Sequence, residues 1–172
     1  GEYGQITELY AWVAIIMVIL TYGMETAFFR YAELEKDGKK VFNTATTSLL
    51  ITSLFFLLIV FLFTGSIADA MQYEGHNEYI LILASIVAID AFTSIPFAYL
   101  RYKNKAVRFS TIKVASVLVN ILLNLVFLLF IPMLAGDKIA DFLVYRSTEL
   151  IVFVFIANLV SSLVSLLMLS PE

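Results

Sequence analysis

Apolar residues along this chain fall into five long blocks separated by shorter polar stretches, at about Tyr10–Tyr31, Ala45–Phe63, Ile80–Leu100, Val114–Leu134 and Leu150–Leu169. Each approaches the ~20 residues that an α-helix needs to cross hydrocarbon. The pattern predicts an all-α integral membrane protein with five transmembrane helices, and no soluble domain. The longest polar connection, residues 32–44, holds ELEKDGKK, a solvated charge run with an expected turn at Asp37-Gly38. Tyr3, Tyr10 and Trp12, then Tyr31 and Tyr102, then Tyr73 and Tyr79 gather near block ends, as amphipathic rings do at a membrane interface.

Projection at 100° per residue separates polar stripes from lipid-facing positions. In the first block Thr21, Tyr22 and Glu25 make one stripe, while Gly23, Ala27 and Arg30 share a mostly small face suited to close helix packing. In the third, Asp90, Thr93, Ser94, Phe97 and Arg101 fall on one side. Pro96 removes the hydrogen bond to the Phe92 carbonyl, so a hinge is expected there. In the fourth, Lys113, Ser116, Asn120 and Asn124 line up. Asn158, Ser161, Ser162 and Ser165 in the fifth form a weaker polar set, expected to serve packing.

Composition strengthens the membrane reading. The chain is 61% hydrophobic with a mean hydropathy of +0.93, against an apolar share of about 45–50% in soluble domains. The net charge of -3 matters less than its distribution. Arg30, Lys36, Lys39 and Lys40 lie around the first connection, and Arg101, Lys103, Lys105, Arg108 and Lys113 around the third. Only Lys138 and Arg146 fall in the fourth, and none lies in Ile67–Tyr79, so alternate connections hold 9 and 2 basic residues. The positive-inside rule then places the N-terminus outside and the C-terminus in the cytoplasm. The first block lacks a basic leader and a small-residue cleavage site, so it is no signal peptide. Five spans with an exterior N-terminus imply a further helix before Tyr10. Cysteine is absent, which excludes disulfides and thiolate metal sites.

Two carboxylates inside apolar blocks are the strongest chemical signal, because a charge at the centre of a membrane helix costs roughly 2.5–3.5 kcal/mol on insertion scales. Asp90 lies about ten residues from either end of its block. It is a candidate cation or proton site, or a packing carboxyl hydrogen-bonded to Asn120 or Thr93. Glu25 is five positions from Arg30, a poor intrahelical partner. The alternative is a structural bridge to Arg101 or Lys113 on a neighbouring helix. Arg30, Arg101 and Lys113 sit at like ends of three spans. They are either a basic vestibule for a diphosphate or anchors that snorkel to headgroups. Lys36, Lys39, Lys40, Lys103 and Lys105 are expected to be such anchors. His76 is the only histidine and falls in a polar loop. No acid-rich metal motif, nucleophile constellation or Gly-rich phosphate loop is present. No catalytic residue, metal, cofactor or nucleic-acid partner is therefore expected, and a coupling Na+ or H+ is the one candidate ion.

The stretches GEYGQITELYAWVA, LTYGMETAFFRYAE and IPFAYLRYKNKAVRFSTIK resemble the polysaccharide biosynthesis proteins of the O-antigen, lipopolysaccharide and capsule flippase type. That family belongs to the MATE-like MOP superfamily, which also holds multidrug exporters and lipid II flippases. The resemblance covers nearly the whole chain. It implies two six-helix lobes related by a pseudo-two-fold axis, with this chain holding the second through sixth helices of the N-terminal lobe. The missing partners would be the first helix and the C-terminal lobe. The resemblance also implies a bacterial inner (cytoplasmic) membrane location and a cavity whose cations hold the diphosphate of an undecaprenyl-linked sugar. Only Arg30, Arg101 and Lys113 could fill that role here.

The expected function is thus flipping of a lipid-linked oligosaccharide by alternating access. Glu25, Asp90, Asn120 and Asn124 would be the polar and coupling residues of the cavity, in contact with substrate, cation and membrane lipid. Rival readings are a multidrug or cation antiporter of the same fold, which would show an acidic, aromatic cavity, and a non-transporting membrane scaffold, which would show Glu25 and Asp90 fully paired.

Overall fold

The computed structural model describes residues 2–35, 37–70, 77–127 and 147–169, and among them every regular element is a helix. Helices α1 (Glu2–Thr21) and α2 (Met24–Leu34) make up the first span, α3 (Gly38–Ala70) the second and α4 (Asn77–Tyr102) the third. Helix α5 (Ala106–Leu125) and helix α6 (Ser147–Leu169) follow. Five segments among the described residues are long and apolar enough to cross a membrane. Lys36, Tyr73, His76, Lys138, Arg146, the side chain of Tyr3 and residues 128–134 of the fourth predicted span lie outside the described residues.

Polar ends are where the helices depart from the apolar blocks. Helix α3 starts seven residues before Ala45, because Asp37 caps it. The Asp37 Oδ1 accepts the Lys40 backbone N–H at 3.2 Å, and the Asp37 carbonyl accepts that of Val41. The expected turn at Asp37-Gly38 is therefore a helix start. Gly38 is needed there for space, since any side chain would overlap the Tyr102 ring packed against it. Helix α5 likewise begins at Ala106, which leaves Lys113 about two turns inside the helix instead of at its end.

The first span is not one helix. Tyr22 (φ 34) and Gly23 (φ 70) both take left-handed backbone, and the chain restarts as α2 at Met24. Glycine tolerates that region freely, and a tyrosine does not. The strained Tyr22 is held by its hydroxyl, which shares a 2.8 Å hydrogen bond with Ser48 of α3. Thr21 turns back onto the Met17 carbonyl. The stripe Thr21–Tyr22–Glu25 is thereby split among different partners. Close packing is not seen at Gly23, the smallest position of the face with Ala27 and Arg30, because no described residue approaches within 4 Å of where its side chain would sit.

Helix α4 runs through Pro96 as one helix to Tyr102. Just before it, the Thr93 and Ser94 hydroxyls bond back to the Asp90 and Ala91 carbonyls at 3.1 and 2.7 Å. The second interruption lies in α3 at Phe63 (φ -110, ψ 16), where Thr64 Oγ1 bonds the Val60 carbonyl at 2.6 Å. Helix α4 stays helical because it is the axis of the bundle. Each hydrophobic cluster contains α4 side chains: Ile95 and Tyr99 against Phe28 and Leu49, Tyr79 and Leu83 against Leu9 and Phe155, Ile80 and Ala84 against Val60, Phe97 and Leu100 against Ile112, and Val87 and Ala91 against Leu20. Its alanines Ala84, Ala88, Ala91 and Ala98 are all buried, which lets neighbouring backbones come close where lipid supplies no hydrophobic drive. The outer faces are apolar as well. Val18, Ile19, Phe61 and Leu62 are 66–72% exposed, a surface suited to hydrocarbon and far too apolar for water.

Candidate functional site

A charged and aromatic track runs over α2, α4 and α5, and its geometry starts from the turn between α4 and α5. Asn104 (φ 56) takes the left-handed position that closes a helix. Its N–H bonds the Arg101 carbonyl at 3.0 Å, and the Lys105 N–H bonds the Leu100 carbonyl at 2.9 Å. This double closure is a Schellman motif, and it folds α5 back along α4. Each helix of the hairpin carries a phenylalanine with a cation four residues later: Phe97 and Arg101 on α4, Phe109 and Lys113 on α5. The pairs cross over. Arg101 lies 5.6 Å from the Phe109 ring centre, Lys113 Nζ lies 4.1 Å from that of Phe97, and the two rings meet edge to face at 5.5 Å. Each such cation–ring contact stabilises by roughly 0.5–1 kcal/mol when exposed and about 2 when desolvated.

Helix α2 completes one end of the track. Phe29 offers Arg101 a second ring at 5.6 Å, and Arg101 Nη2 donates to Glu25 Oε1 at 2.6 Å. Both partners of that ion pair keep more than two fifths of their side-chain surface open. The helix break at Tyr22-Gly23 is what places Glu25 in the first turn of α2, beside Arg101. Of the two roles weighed for Glu25, an interhelical bridge is therefore present, and its partner is Arg101.

Asp90 sits near the midpoint of α4 at the other end. Its carboxylate accepts a 2.7 Å hydrogen bond from Ser162 of α6, and Lys113 is close enough for their charges to interact. The expected partners do not fill that place. Thr93 bonds the Asp90 backbone, and Asn120 looks elsewhere. Glu25, Arg101, Lys113 and Asp90 thus form a row in which two basic side chains stand between two acidic ones, carried by three helices. Arg30 is not in it. It lies exposed on α2 and makes no ion pair among the described residues.

The fifth span does more than pack. Ser161 donates to the Ser116 carbonyl at 2.8 Å, Ser165 and Ser116 share a 2.5 Å hydrogen bond, and all three serines are buried. Farther along, Asn158 donates to the Tyr10 hydroxyl at 3.0 Å and accepts from Asn120, while Asn124 donates to Asn120 at 2.9 Å. Asn120 and Asn124 therefore belong to a network across α1, α5 and α6, with the Asn124 Oδ1 buried and unpartnered among the described residues. Phe29 and Phe109 were not singled out from the sequence, and Ser162 was named only in a polar set expected to serve packing, not as the partner of Asp90. The repeated Phe-x-x-x-cation spacing was the signal that could have found Phe109. Nothing local marks Phe29, or tells that Ser162 meets Asp90.

No group of three or more metal-binding side chains occurs among the described residues. The fold and this track together define a multi-pass α-helical membrane protein with acidic and basic side chains along its bundle. The chain belongs to the polysaccharide biosynthesis protein family, whose sequence pattern matches residues 1–159. A part in making or exporting polysaccharide follows from that membership. No curated protein and no solved structure matches the chain.

Proposed function

We propose that this chain forms part of a flippase that carries a polyprenyl-diphosphate-linked oligosaccharide across the bacterial inner membrane by alternating access. The observation that supports it is the crossed pair of Arg101 and Lys113, two cations side by side on adjoining phenylalanine rings. A diphosphate carries two or more negative charges on neighbouring phosphates, and an Arg fork can take one of them bidentately. Lys113 then takes the other as a point charge. Glu25 holds Arg101 while the site is empty and is displaced when phosphate arrives. That competition limits how tightly substrate is bound. Asp90 faces Lys113 from the other side, where a coupling Na+ or H+ would weaken its hold and change the local field.

In this reading the chain supplies most of an N-terminal lobe, a second lobe closes the cavity, and the Arg101 end faces the cytoplasm by the positive-inside rule. The protein moves its substrate without making or breaking bonds. The rival scaffold reading is favoured by one observation, the existing Glu25–Arg101 pair. Surface-polysaccharide complementation in cells separates the two. Arg101→Ala and Lys113→Ala are expected to abolish export while membrane insertion and protein level stay normal. Wild-type polysaccharide in both variants would sink the substrate-contact role and leave the ion pair as structure alone.

A further inference from the structure

A groove of about 460 Å³ runs between α2 and α3, on a side of the bundle to which the charged track does not extend. Its floor is Phe28 and Ala45, both buried, and Met24 and Val41 form its walls. It ends inward at Ser48, whose hydroxyl is already engaged with Tyr22. From Lys40 to Ser48 the helical rise gives about 12 Å of groove, enough for much of an acyl chain. At its mouth stand two opposite charges, Glu35 and Lys40, both exposed.

These charges make no ion pair with each other among the described residues. Each is also placed against its own helix. Glu35 closes the C-terminal end of α2, where backbone carbonyls already point outward, and Lys40 lies in the first turn of α3, where the N–H groups do. Neither charge stabilises the fold locally, and both border one apolar channel at the edge of the spans. An amphipath with a cation and an anion in one headgroup complements that arrangement: its amine meets Glu35, its phosphate meets Lys40, and its tail lies along Phe28, Met24 and Val41.

We propose that the α2–α3 groove is a binding site for a zwitterionic phospholipid with a primary amine, of the phosphatidylethanolamine class. The Glu35 carboxylate accepts hydrogen bonds from the ammonium, which a trimethylated headgroup cannot donate. Lys40 pairs with the phosphodiester. A purely anionic headgroup leaves Glu35 repelled, so phosphatidylglycerol is discriminated against by charge and phosphatidylcholine by hydrogen bonding.

The test is native mass spectrometry of the purified chain, loaded in turn with equal amounts of the ethanolamine, choline and glycerol phospholipids of one acyl composition. Ethanolamine lipid is expected to be retained several-fold better than either of the others. Glu35→Gln and Lys40→Gln, each checked for unchanged thermal unfolding in detergent, should each lower its retention to the level of the other two, while Lys39→Gln should not. Equal retention of the three lipids overturns the proposal, as does preference for phosphatidylglycerol. A preference that survives in Glu35→Gln or Lys40→Gln, or is lost equally in Lys39→Gln, overturns it too. Because neither Glu35 nor Lys40 touches the charged track, these outcomes are independent of the flippase reading.

Discussion

The hydrogen bond between Ser162 and Asp90 ties α6 to the centre of α4, and a double-mutant cycle measures what it contributes. Ser162 is 6% exposed and donates to the carboxylate at 2.7 Å. Neutral hydrogen bonds within membrane proteins average ~0.6 kcal/mol by such cycles, with a maximum of about 1.7. A charged acceptor roughly doubles the strength of a hydrogen bond. The coupling between Ser162→Ala and Asp90→Ala is therefore expected at about 1–2 kcal/mol, a change of roughly 5–30-fold in the unfolding constant. Asp90→Ala also removes the attraction to Lys113, but Ser162→Ala leaves that attraction in place, so the cycle subtracts it. Steric-trap unfolding in bicelles of the parent, both single variants and the double variant yields the four free energies. A parallel cycle with Asp90→Asn, which keeps an oxygen acceptor and loses the charge, reads only what the charge adds and should fall below the alanine cycle by about 0.6 kcal/mol. A coupling below about 0.3 kcal/mol in the alanine cycle would show that this contact does not join α4 to α6 energetically.

Two further outcomes follow from backbone geometry, each read by thermal unfolding in detergent. Asn104→Val should destabilise the α4–α5 hairpin by about 1–2 kcal/mol, because a β-branched residue resists the left-handed backbone, whereas Asn104→Gly should match or exceed the parent. Equal stability of the two variants would mean that the turn does not set the hairpin. Gly38→Val should cost about 1–3 kcal/mol by driving the Tyr102 ring off Gly38 and away from the Ala32 carbonyl, to which its hydroxyl donates at 3.3 Å. A parent-like melting temperature for Gly38→Val would show that the ring moves aside freely.

Much of this protein was legible before any coordinates, and the reason is the solvent. A span in hydrocarbon must satisfy its backbone internally and cover itself with apolar side chains, so the five blocks stand out along the chain without help from partners. The same logic marked Glu25 and Asp90, since each lies inside an apolar block where a charge is costly, whereas Arg101 and Lys113 at span ends stayed open between a vestibule and headgroup anchors. Helix ends were less legible. Hydropathy changes at the first charge, whereas α3 begins where Asp37 can cap it and α4 ends where Asn104 can turn left-handed.

What only the tertiary structure decided is which groups meet. A lone Gly23 inside an apolar block is as consistent with close packing as with a break, and the choice rests on Ser48 being there to hold the Tyr22 hydroxyl. Pro96 carries a local kink signal, and only the fold shows that α4 continues through it to Tyr102 as one helix. The sequence by itself determined the number of spans, their all-helical character and the side chains that hydrocarbon cannot tolerate, because those follow from a chain's interaction with its surroundings. Pairing Arg101 with Glu25, Lys113 with Phe97 and Asp90 with Ser162 required the fold, because each contact joins residues of different helices whose rotation and depth are set by packing around α4 and by no local signal.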